Sequence, residues 1–205
     1  PLSPSSASHL IEVDEENGLR SPVLSPEPDG VSYAIERGLV LHRLLELLPG
    51  IDSGLREIAV ENYLARKAES WTERQRLKAK RDVLSVLDNP DFASVFSARS
   101  RAEITVMGKL PVQGIERIVS GKIDRMIVED DRVLIIDYKT NHAAPASLSE
   151  IPPAYVTQMA LYRALLKPLF EPKPIAAGLL FTSTATLYSL PVAMLDAALE
   201  ALTDS

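Results

Sequence analysis

The sequence predicts a domain of the α/β or α+β class, with a mixed central sheet flanked by helices and preceded by a helical segment. Three observations lead to this prediction. Apolar residues recur at the spacing of helices in the first half of the chain, and they alternate or run together as in strands in the middle. A helix, two strands and a helix follow. Because 46% of the 205 residues are hydrophobic, we expect one sizeable core in a single domain with a tail.

Residues 1–30 are expected to form the tail. Five prolines stand there among serines and acidic residues, a composition that interrupts helices and offers little apolar surface to bury. We interpret this stretch as a linker or a loosely attached arm, and residues 31–205 as the folded domain. The sequence starts with neither an initiator Met nor a signal-peptide pattern, so we interpret the chain as a piece of a longer protein.

Three helices are predicted ahead of the sheet. The first follows the apolar residues between Ile35 and Leu48 and ends at a Pro-Gly pair. The third starts with Thr72 and Gln75 at the spacing of a capping box and ends before an Asn-Pro pair. The predicted helices span residues 35–48, 54–69 and 72–87.

Apolar runs rich in β-branched residues predict the strands. The runs at 103–107, 116–119, 121–128 and 133–138 are expected to be neighbouring strands of one sheet, separated by short polar turns. A helix from Pro152 to Lys167 follows, because Pro suits a first turn and apolar residues continue at helical spacing. Residues 176–181 and 186–190 are predicted as two further strands, and Pro191 opens a last helix.

The composition excludes several kinds of site. There is no cysteine, which excludes disulfides, thiolate zinc sites, iron–sulfur clusters and thiol nucleophiles. No run approaches the roughly 18 apolar residues of a membrane span, and we expect a cytoplasmic protein. The net charge of −6 argues against a freestanding, non-specific nucleic-acid binder. Any DNA contact must therefore be local or delivered by another domain.

Two acidic residues and a lysine mark the candidate catalytic site. Asp124 interrupts an apolar strand in a Gly-x-x-Asp sequence, and Asp137 and Lys139 end the next strand on one face. Burying these charges is costly unless a divalent cation compensates them. Asp124, Asp137 and the backbone carbonyl of Tyr138 could form part of a Mg²⁺ shell. The alternative is that both aspartates face solvent and Lys139 pairs with one of them. The occurrence of both motifs one strand apart favours the metal site.

Other candidate residues have a structural and a functional interpretation. His42, beside a leucine-rich helix face, is either a structural residue or a metal ligand. Glu103 either adds a carboxylate to the site or keeps a strand end soluble. Gln158 and Tyr162 share a helix face, where they form a polar edge or contact a DNA strand. Tyr155 is a weaker candidate for the same edge.

A basic run lies on the third predicted helix. Such a run is usually a solvated helix face, but in an acidic chain it is also the leading candidate for a patch that contacts phosphates. The run consists of Arg74, Arg76, Lys78, Lys80 and Arg81.

Taken in order, these motifs resemble those of the RecB-like nucleases, a branch of the PD-(D/E)XK superfamily with a restriction-endonuclease-like core. The resemblance covers residues 32–190 and rests on Gly38-x-x-x-His42, Glu103, Gly121-x-x-Asp124, Asp137-Tyr138-Lys139 and Gln158-x-x-x-Tyr162. It implies a Mg²⁺-dependent DNA nuclease, with Lys139 serving catalysis and with the metal bound by His42, Asp124, Asp137 and the Tyr138 carbonyl. Mn²⁺ is expected to substitute, since an imidazole ligand suits Mg²⁺ less well. The resemblance also implies that Gln158 and Tyr162 lie beside the active site, and it leaves the role of Glu103 open.

Within this branch, the lack of cysteine points away from members that carry an iron–sulfur cluster. The motifs resemble most those of the AddA type found in alphaproteobacteria. That resemblance implies an ATP-driven helicase N-terminal to this domain in the same protein, and AddB as a partner protein. The implied function is exonuclease action on single strands delivered by the helicase, in double-strand break repair by homologous recombination. The alternatives are a catalytically silent module that binds DNA or braces a partner, and a hydrolase of small phosphoesters.

Overall fold

The computed structural model describes residues 28–140 and 144–203. The predicted linker lies outside these residues, except for residues 28–30, which open the first helix. The helices are α1 (Pro28–Leu47), α2 (Ser53–Lys67), α3 (Glu73–Leu87), α4 (Pro153–Phe170) and α5 (Val192–Thr203). The strands are β1 (Ser100–Val112), β2 (Ile115–Val128), β3 (Val133–Lys139), β4 (Ile175–Phe181) and β5 (Thr186–Leu190).

The predicted helices are confirmed, although α1 begins earlier than its apolar pattern. The capping box at the start of α3 is also confirmed. The Thr72 hydroxyl accepts from the Gln75 N–H at 3.3 Å, and the Gln75 side chain accepts from the Thr72 N–H at 2.7 Å. Within the described residues, no helix combines the length and the apolar character needed to cross a membrane.

The strands form one mixed sheet in the order β1-β2-β3-β4-β5. Neighbouring strands are antiparallel except β3 and β4, which are parallel and are joined through α4. Residues 116–119 and 121–128, predicted as two strands, are one continuous strand. That separation was wrong because Ser120 and Gly121 both find partners in β1, so the polar pair does not interrupt the ladder.

Apolar side chains cover both faces of the sheet. Ile136 and Leu180 pack with α1, α2 and α3, whereas Ile135 and Leu179 pack with α4 and α5. Successive residues of β3 and β4 thus point to different helical layers, as the two-residue period of a strand requires. The result is the predicted arrangement of a mixed sheet flanked by helices, with a helical segment at the N-terminal end.

The alternation of faces breaks at one place in the β1–β2 hairpin. Ile123 packs with the α4–α5 layer, whereas Ile127, an even number of residues further along the same strand, packs with the α1–α3 layer. A regular strand would place both on one face. The pairing of β1 with β2 passes over Glu103 and Asp124, and Glu103 has a φ of 55°. The hairpin therefore turns relative to the sheet at these two acidic residues.

The left-handed backbone at Glu103 should be measurable as strain. A side chain costs about 1 kcal/mol in this region and glycine avoids the cost, so we expect Glu103→Gly to be more stable than Glu103→Ala by about 1 kcal/mol. Both variants remove the same carboxylate, and their difference reports the backbone alone. Urea denaturation followed by fluorescence of Trp71, the single tryptophan, measures it. An alanine variant as stable as the glycine variant would contradict the strained conformation.

Candidate active site

The candidate residues converge on an open cleft of about 740 Å³ where β2 and β3 stop pairing. The last ladder pair is Arg125 with Ile136, so the two strands separate at Asp124 and Asp137. Asp124 therefore lies within β2, at the point where the pairing of β2 with β3 stops. The cleft receives side chains from both helical layers and from the strands between them. Its lining includes His42, Asp124, Asp137, Tyr138, Lys139, Gln158 and Tyr162.

Where β2 and β3 no longer pair, the Asp124 side chain supplies the hydrogen-bond acceptor that the β2 backbone does not. The Tyr138 N–H donates to Asp124 Oδ2 at 2.6 Å, which satisfies a backbone group that β2 leaves without a partner. The other oxygen, Oδ1, lies 3.0 Å from His42 Nδ1. The Asp124 residue is only 7% exposed, and each of its two carboxylate oxygens has a hydrogen-bonding partner within the protein. The carboxylate ties α1 to the end of the β2–β3 ladder.

A second group of polar side chains connects β3 to α4. Asp137 and Lys139 share a face, as their spacing predicts, and Lys139 Nζ lies 2.8 Å from Asp137 Oδ2. Gln158 bridges the pair, donating to Asp137 Oδ1 at 2.9 Å and accepting from Lys139 at 3.0 Å. The Lys139 ammonium also lies 3.8 Å from the centre of the Tyr155 ring. These contacts hold the lysine within the cleft.

Tyr162, one turn after Gln158 on α4, supports this group of side chains. Its hydroxyl donates to the backbone oxygen of Lys122 at 2.8 Å and lies 3.4 Å from Gln158 Nε2. Burial raises the pKa of Tyr162 to about 12, so the phenol remains a neutral donor. Gln158 and Tyr162, which the sequence placed on one helix face, therefore shape the cleft in addition to lining it.

Three carboxylates dominate the electrostatics around His42. Burial raises the pKa of Asp137 and the Asp124 charge adds to this effect, while Lys139 opposes it. Burial on its own would lower the pKa of His42, but the hydrogen bond and charge of Asp124 outweigh burial and raise it. The charges of Asp137 and Glu103 act on His42 in the same direction. The site consequently favours an added positive charge.

One donor group suits a divalent cation. A ring nitrogen of His42 and carboxylate oxygens of Glu103 and Asp124 lie within 4.8 Å of one another. Oxygen and imidazole ligands of this kind fit Mg²⁺ or, with the imidazole, Mn²⁺. Glu103 belongs to this group, although the sequence left its role open, and its carboxylate also lies 2.9 Å from Lys122 Nζ. Asp137 stands apart from the group, engaged by Lys139 and Gln158.

The Tyr138 backbone contacts the cation group through its N–H bond to Asp124, whereas its side chain is a buried support. The Tyr138 ring points into the α1–α3 layer, where its hydroxyl accepts from Arg125 Nε at 3.1 Å. Its ring also packs edge-on against the imidazole of His42, with 5.6 Å between the ring centres. The side chain therefore serves as a buried support, which leaves only the main chain for the ligand role that the resemblance implied.

The basic run on α3 is largely engaged within the protein. Arg76 donates to the Trp71 oxygen at 2.6 Å and to the Ala68 oxygen at 3.2 Å, which closes the turn between α2 and α3. Lys78 pairs with Asp82 at 2.8 Å, and Lys80 pairs with two glutamates of α2. Arg74 and Arg81 are exposed. The predicted contact of this run with DNA remains a prediction, and Arg74 and Arg81 are its freest members in the described structure.

Two buried arginines support the site and were missed by the sequence analysis. Arg37, 2% exposed, donates to the Thr140 oxygen and to Asp82, each at 2.5 Å. Arg125, 4% exposed, donates to the Leu45 oxygen at 2.5 Å as well as to Tyr138. The available signal was a charged residue at an apolar position of a helix or strand pattern. That signal indicates a buried partner without naming it.

The comparisons with known proteins agree with this geometry. The profile of the PD-(D/E)XK nuclease superfamily matches residues 14–201. The chain belongs to this superfamily. Membership implies a hydrolase that acts on nucleic acids, and PD-(D/E)XK nucleases generally use divalent metals. The mixed sheet flanked by helices is consistent with the PD-(D/E)XK fold.

A curated relative of this PD-(D/E)XK chain is an ATP-dependent helicase/nuclease subunit from Acetivibrio thermocellus. It is 24% identical over 166 residues, which are 74% of this chain and 13% of the relative, so the chain spans a small part of that protein. The crystal structure of SSO0001 aligns with 83% of this chain and 82% of its own at 14% identity and a TM-score of 0.35. That score is too low to support a functional inference.

The two aspartates should affect stability in opposite ways when metal is removed. Because the pKa of Asp137 is raised, the stability that its protonated form contributes is complete below the ordinary carboxyl pKa and is lost as pH rises through the raised value. At neutral pH in EDTA, Asp137→Asn should therefore leave the free energy of unfolding unchanged or higher. Asp124→Ala should lower it by about 1–3 kcal/mol, since the Tyr138 N–H loses its acceptor.

Urea denaturation of both variants beside the unaltered chain measures this difference. Repeating the series toward acidic pH should show a weaker pH dependence for Asp137→Asn. A large loss of stability in Asp137→Asn at neutral pH would mean that the ion pair of Asp137 with Lys139 outweighs the cost of burying the carboxylate. That result would contradict a raised pKa of Asp137.

Proposed function

We propose that this domain is a divalent-metal-dependent deoxyribonuclease that hydrolyses phosphodiester bonds in single DNA strands. The observation that supports the proposal most is that one cleft is lined by His42 and Asp124, two of the three candidate cation ligands, and by the Asp137–Lys139 pair. Superfamily membership gives the reaction class. In this proposal Asp124, Asp137 and Lys139 are the catalytic residues.

The proposed metal is Mg²⁺, with Mn²⁺ able to substitute. Its ligands would be His42, Asp124, Asp137 and the backbone carbonyl of Tyr138, and we add Glu103 because its carboxylate lies with those of the cation group. A bound divalent cation supplies stabilisation of the developing charge on the phosphate and a more acidic water. The clustering of the Glu103 and Asp124 carboxylates with the His42 imidazole supports these three members of the ligand set.

Lys139 is proposed to position the attacking water and the scissile phosphate by its charge. Its ammonium contacts Asp137 at 2.8 Å, the Gln158 oxygen at 3.0 Å and the Tyr155 ring face at 3.8 Å, all of which attract a positive charge. These contacts support a role as a charged donor more than as a base. Water would then form the new bond to phosphorus in line with the leaving oxygen, whose bond breaks.

Contacts with DNA are proposed at two places. Gln158 and Tyr162 lie beside the catalytic pair and would touch the strand that enters the cleft. The basic run on α3 would contact phosphates, with Arg74 and Arg81 available and with Arg76 and Lys78 contributing through their remaining donors. The net charge of −6 supports delivery of the substrate by another part of the protein.

We further propose that the domain belongs to a helicase-nuclease of the AddA type, which would act with AddB as an exonuclease in double-strand break repair by homologous recombination. The similarity to a protein named as an ATP-dependent helicase/nuclease supports this context. The catalytically silent alternative is less well supported, because the Asp137, Lys139 and Gln158 contacts are all in place.

Removal of the catalytic groups should abolish cleavage without unfolding the domain. We expect Lys139→Ala and Asp137→Ala to cut end-labelled single-stranded DNA at least about a hundredfold more slowly than the unaltered chain, in Mg²⁺ or Mn²⁺. EDTA should stop cleavage in every case. Lys167→Ala, which changes an exposed lysine on α4, serves as the control and should cut normally.

Folded Lys139→Ala protein that still cuts would refute the assigned site. If the unaltered chain does not cut with either metal, the same assay on the protein that includes the helicase part separates a motor-dependent nuclease from a silent module. Cleavage that appears there and depends on Asp137 would support the nuclease.

The place of Glu103 in the ligand set can be tested separately. If its carboxylate binds the cation, Glu103→Gln should raise the Mn²⁺ concentration needed for half-maximal cleavage by about tenfold, with a smaller change in the rate at saturating metal. Glu116→Gln, on the same hairpin and paired with Lys109, is the matched control. An unchanged metal requirement in Glu103→Gln would remove Glu103 from the ligand set and leave its role structural.

A further inference from the structure

The β1–β2 hairpin extends beyond the rest of the sheet. β3 pairs with β2 only from Arg125 to Val128, whereas β1 pairs with β2 up to the turn between Val112 and Ile115. The outer part of the hairpin is therefore a two-stranded arm. Isolated two-stranded ribbons are marginally stable in water, so this arm needs support from another element.

One face of the arm has that support. Gly108 lies so close to α4 that a Cβ built on it would meet the Leu165 side chain at 2.9 Å. The Gln113 N–H donates to the Leu202 oxygen of α5 at 2.7 Å, and Val112 and Val119 are buried. The supported face therefore explains the stability of the arm without using its other face.

The opposite face of the arm carries exposed apolar side chains. Met107 is 72% exposed and Ile118 is 47% exposed. In the register, Met107 pairs with Ser120 and Lys109 pairs with Ile118, so the two apolar residues are diagonal neighbours on one face. Side by side, the two residues form a small contiguous apolar surface, and contiguous surfaces mark binding sites more than singly exposed apolar residues do.

This outer face is continuous with the cleft. Thr105, Ser120 and Lys122 lie on the same face as Met107 and Ile118 and also line the cleft. From Thr105 to the turn the face is about 20 Å long, at roughly 3.3 Å per residue. A DNA strand whose phosphate lies at the catalytic group would therefore meet this face next.

We propose that the outer face of the β1–β2 hairpin, formed around Met107 and Ile118, binds the unpaired bases of the DNA strand adjoining the cleft. This proposal rests on the proposed nuclease function and adds a surface outside the cleft that holds the single strand. The bases of a single strand offer open faces to such side chains, whereas a duplex keeps its bases stacked and exposes their faces only at a cost in unstacking. This outer face, which we call the track, would hold the strand through its bases. The strand would be fed or released along the hairpin.

The charges of this face favour the bases of a single strand, and not the phosphates of a duplex, as the group that binds there. Lys109 lies 2.8 Å from Glu116, and Lys122 lies 2.9 Å from Glu103, so each lysine is offset by a carboxylate. A duplex presents mainly phosphates, whose binding requires uncompensated cations. A single strand can bring its bases to Met107 and Ile118 instead, and the exposed Lys109–Glu116 pair costs little to open toward a phosphate.

The test measures binding of labelled oligothymidines by fluorescence anisotropy in Ca²⁺, which limits cleavage. The double variant Met107→Ser with Ile118→Ser should bind a 12-nucleotide strand about tenfold more weakly, which corresponds to a loss of about 0.7 kcal/mol of apolar contact at each residue. A 4-nucleotide strand and a 12-base-pair duplex should change by less than about twofold, because neither places unpaired bases on the track. The control is Leu169→Ser on α4, which is 74% exposed, and it should bind all three as before.

A second variant tests the track by gain of affinity. Met107→Tyr offers a ring on which a base can stack, and it should bind the 12-nucleotide strand at least about fivefold more tightly. Because both positions are exposed, these variants are expected to fold, which urea denaturation confirms.

The outcomes distinguish this proposal from the nuclease proposal. If the unaltered chain cuts DNA in Mg²⁺ but the double variant binds and cuts a long strand equally well, the track is overturned and the nuclease function stands, leaving a protein as the occupant of this face. An equal loss on the duplex would also overturn the assignment to unpaired bases. A protein that includes the helicase part and neither binds nor cuts DNA would overturn both proposals.

Discussion

The whole site depends on the buried carboxylate of Asp124 at the point where β2 and β3 separate. Past this point β2 no longer supplies partners to β3, and Asp124 accepts the Tyr138 N–H in place of the ladder. Across the hairpin, Glu103 adopts left-handed backbone geometry and the ladder passes over both acidic residues. A regular strand would not place Ile123 and Ile127 on opposite faces. The break in regular pairing therefore coincides with the place where three donor groups lie within 4.8 Å of one another.

Two arginines hold the helical layer at the distance that this arrangement requires. Arg37 ties the middle of α1 to Thr140, just after β3, and Arg125 ties the end of α1 to β2 through the Leu45 oxygen. His42 lies between these two attachments. Buried guanidinium groups are expensive unless their donors are satisfied, so the contacts also penalise any shift of α1 along the sheet. The imidazole is consequently placed by backbone contacts on either side of it, and by the edge of the Tyr138 ring.

The two helical layers contribute different chemistry to one cleft. α1 brings the imidazole of the cation group, while α4 brings the amide and phenol that hold Lys139 against Asp137. The sheet between them supplies the acidic residues. Because the cleft opens where strands diverge, a polymer can enter without disturbing either layer, and the hairpin continues the same surface outward. In the proposed function, the acidic domain would therefore bind its anionic substrate through a small positive region of the cleft. A bound cation would compensate the carboxylates there.

The sequence by itself determined the helices, the mixed sheet and the shared face of Asp137 and Lys139, because hydrophobic periodicity and residue spacing are local properties. Its motifs also drew attention to His42 and Gln158, although only a resemblance connected them. The tertiary structure decided that Glu103 joins His42 and Asp124, and that Arg76 and Lys78 are engaged within the protein. It also decided that 116–128 is one strand turned at Asp124. These outcomes depend on partners distant in sequence, whose geometry no local pattern specifies.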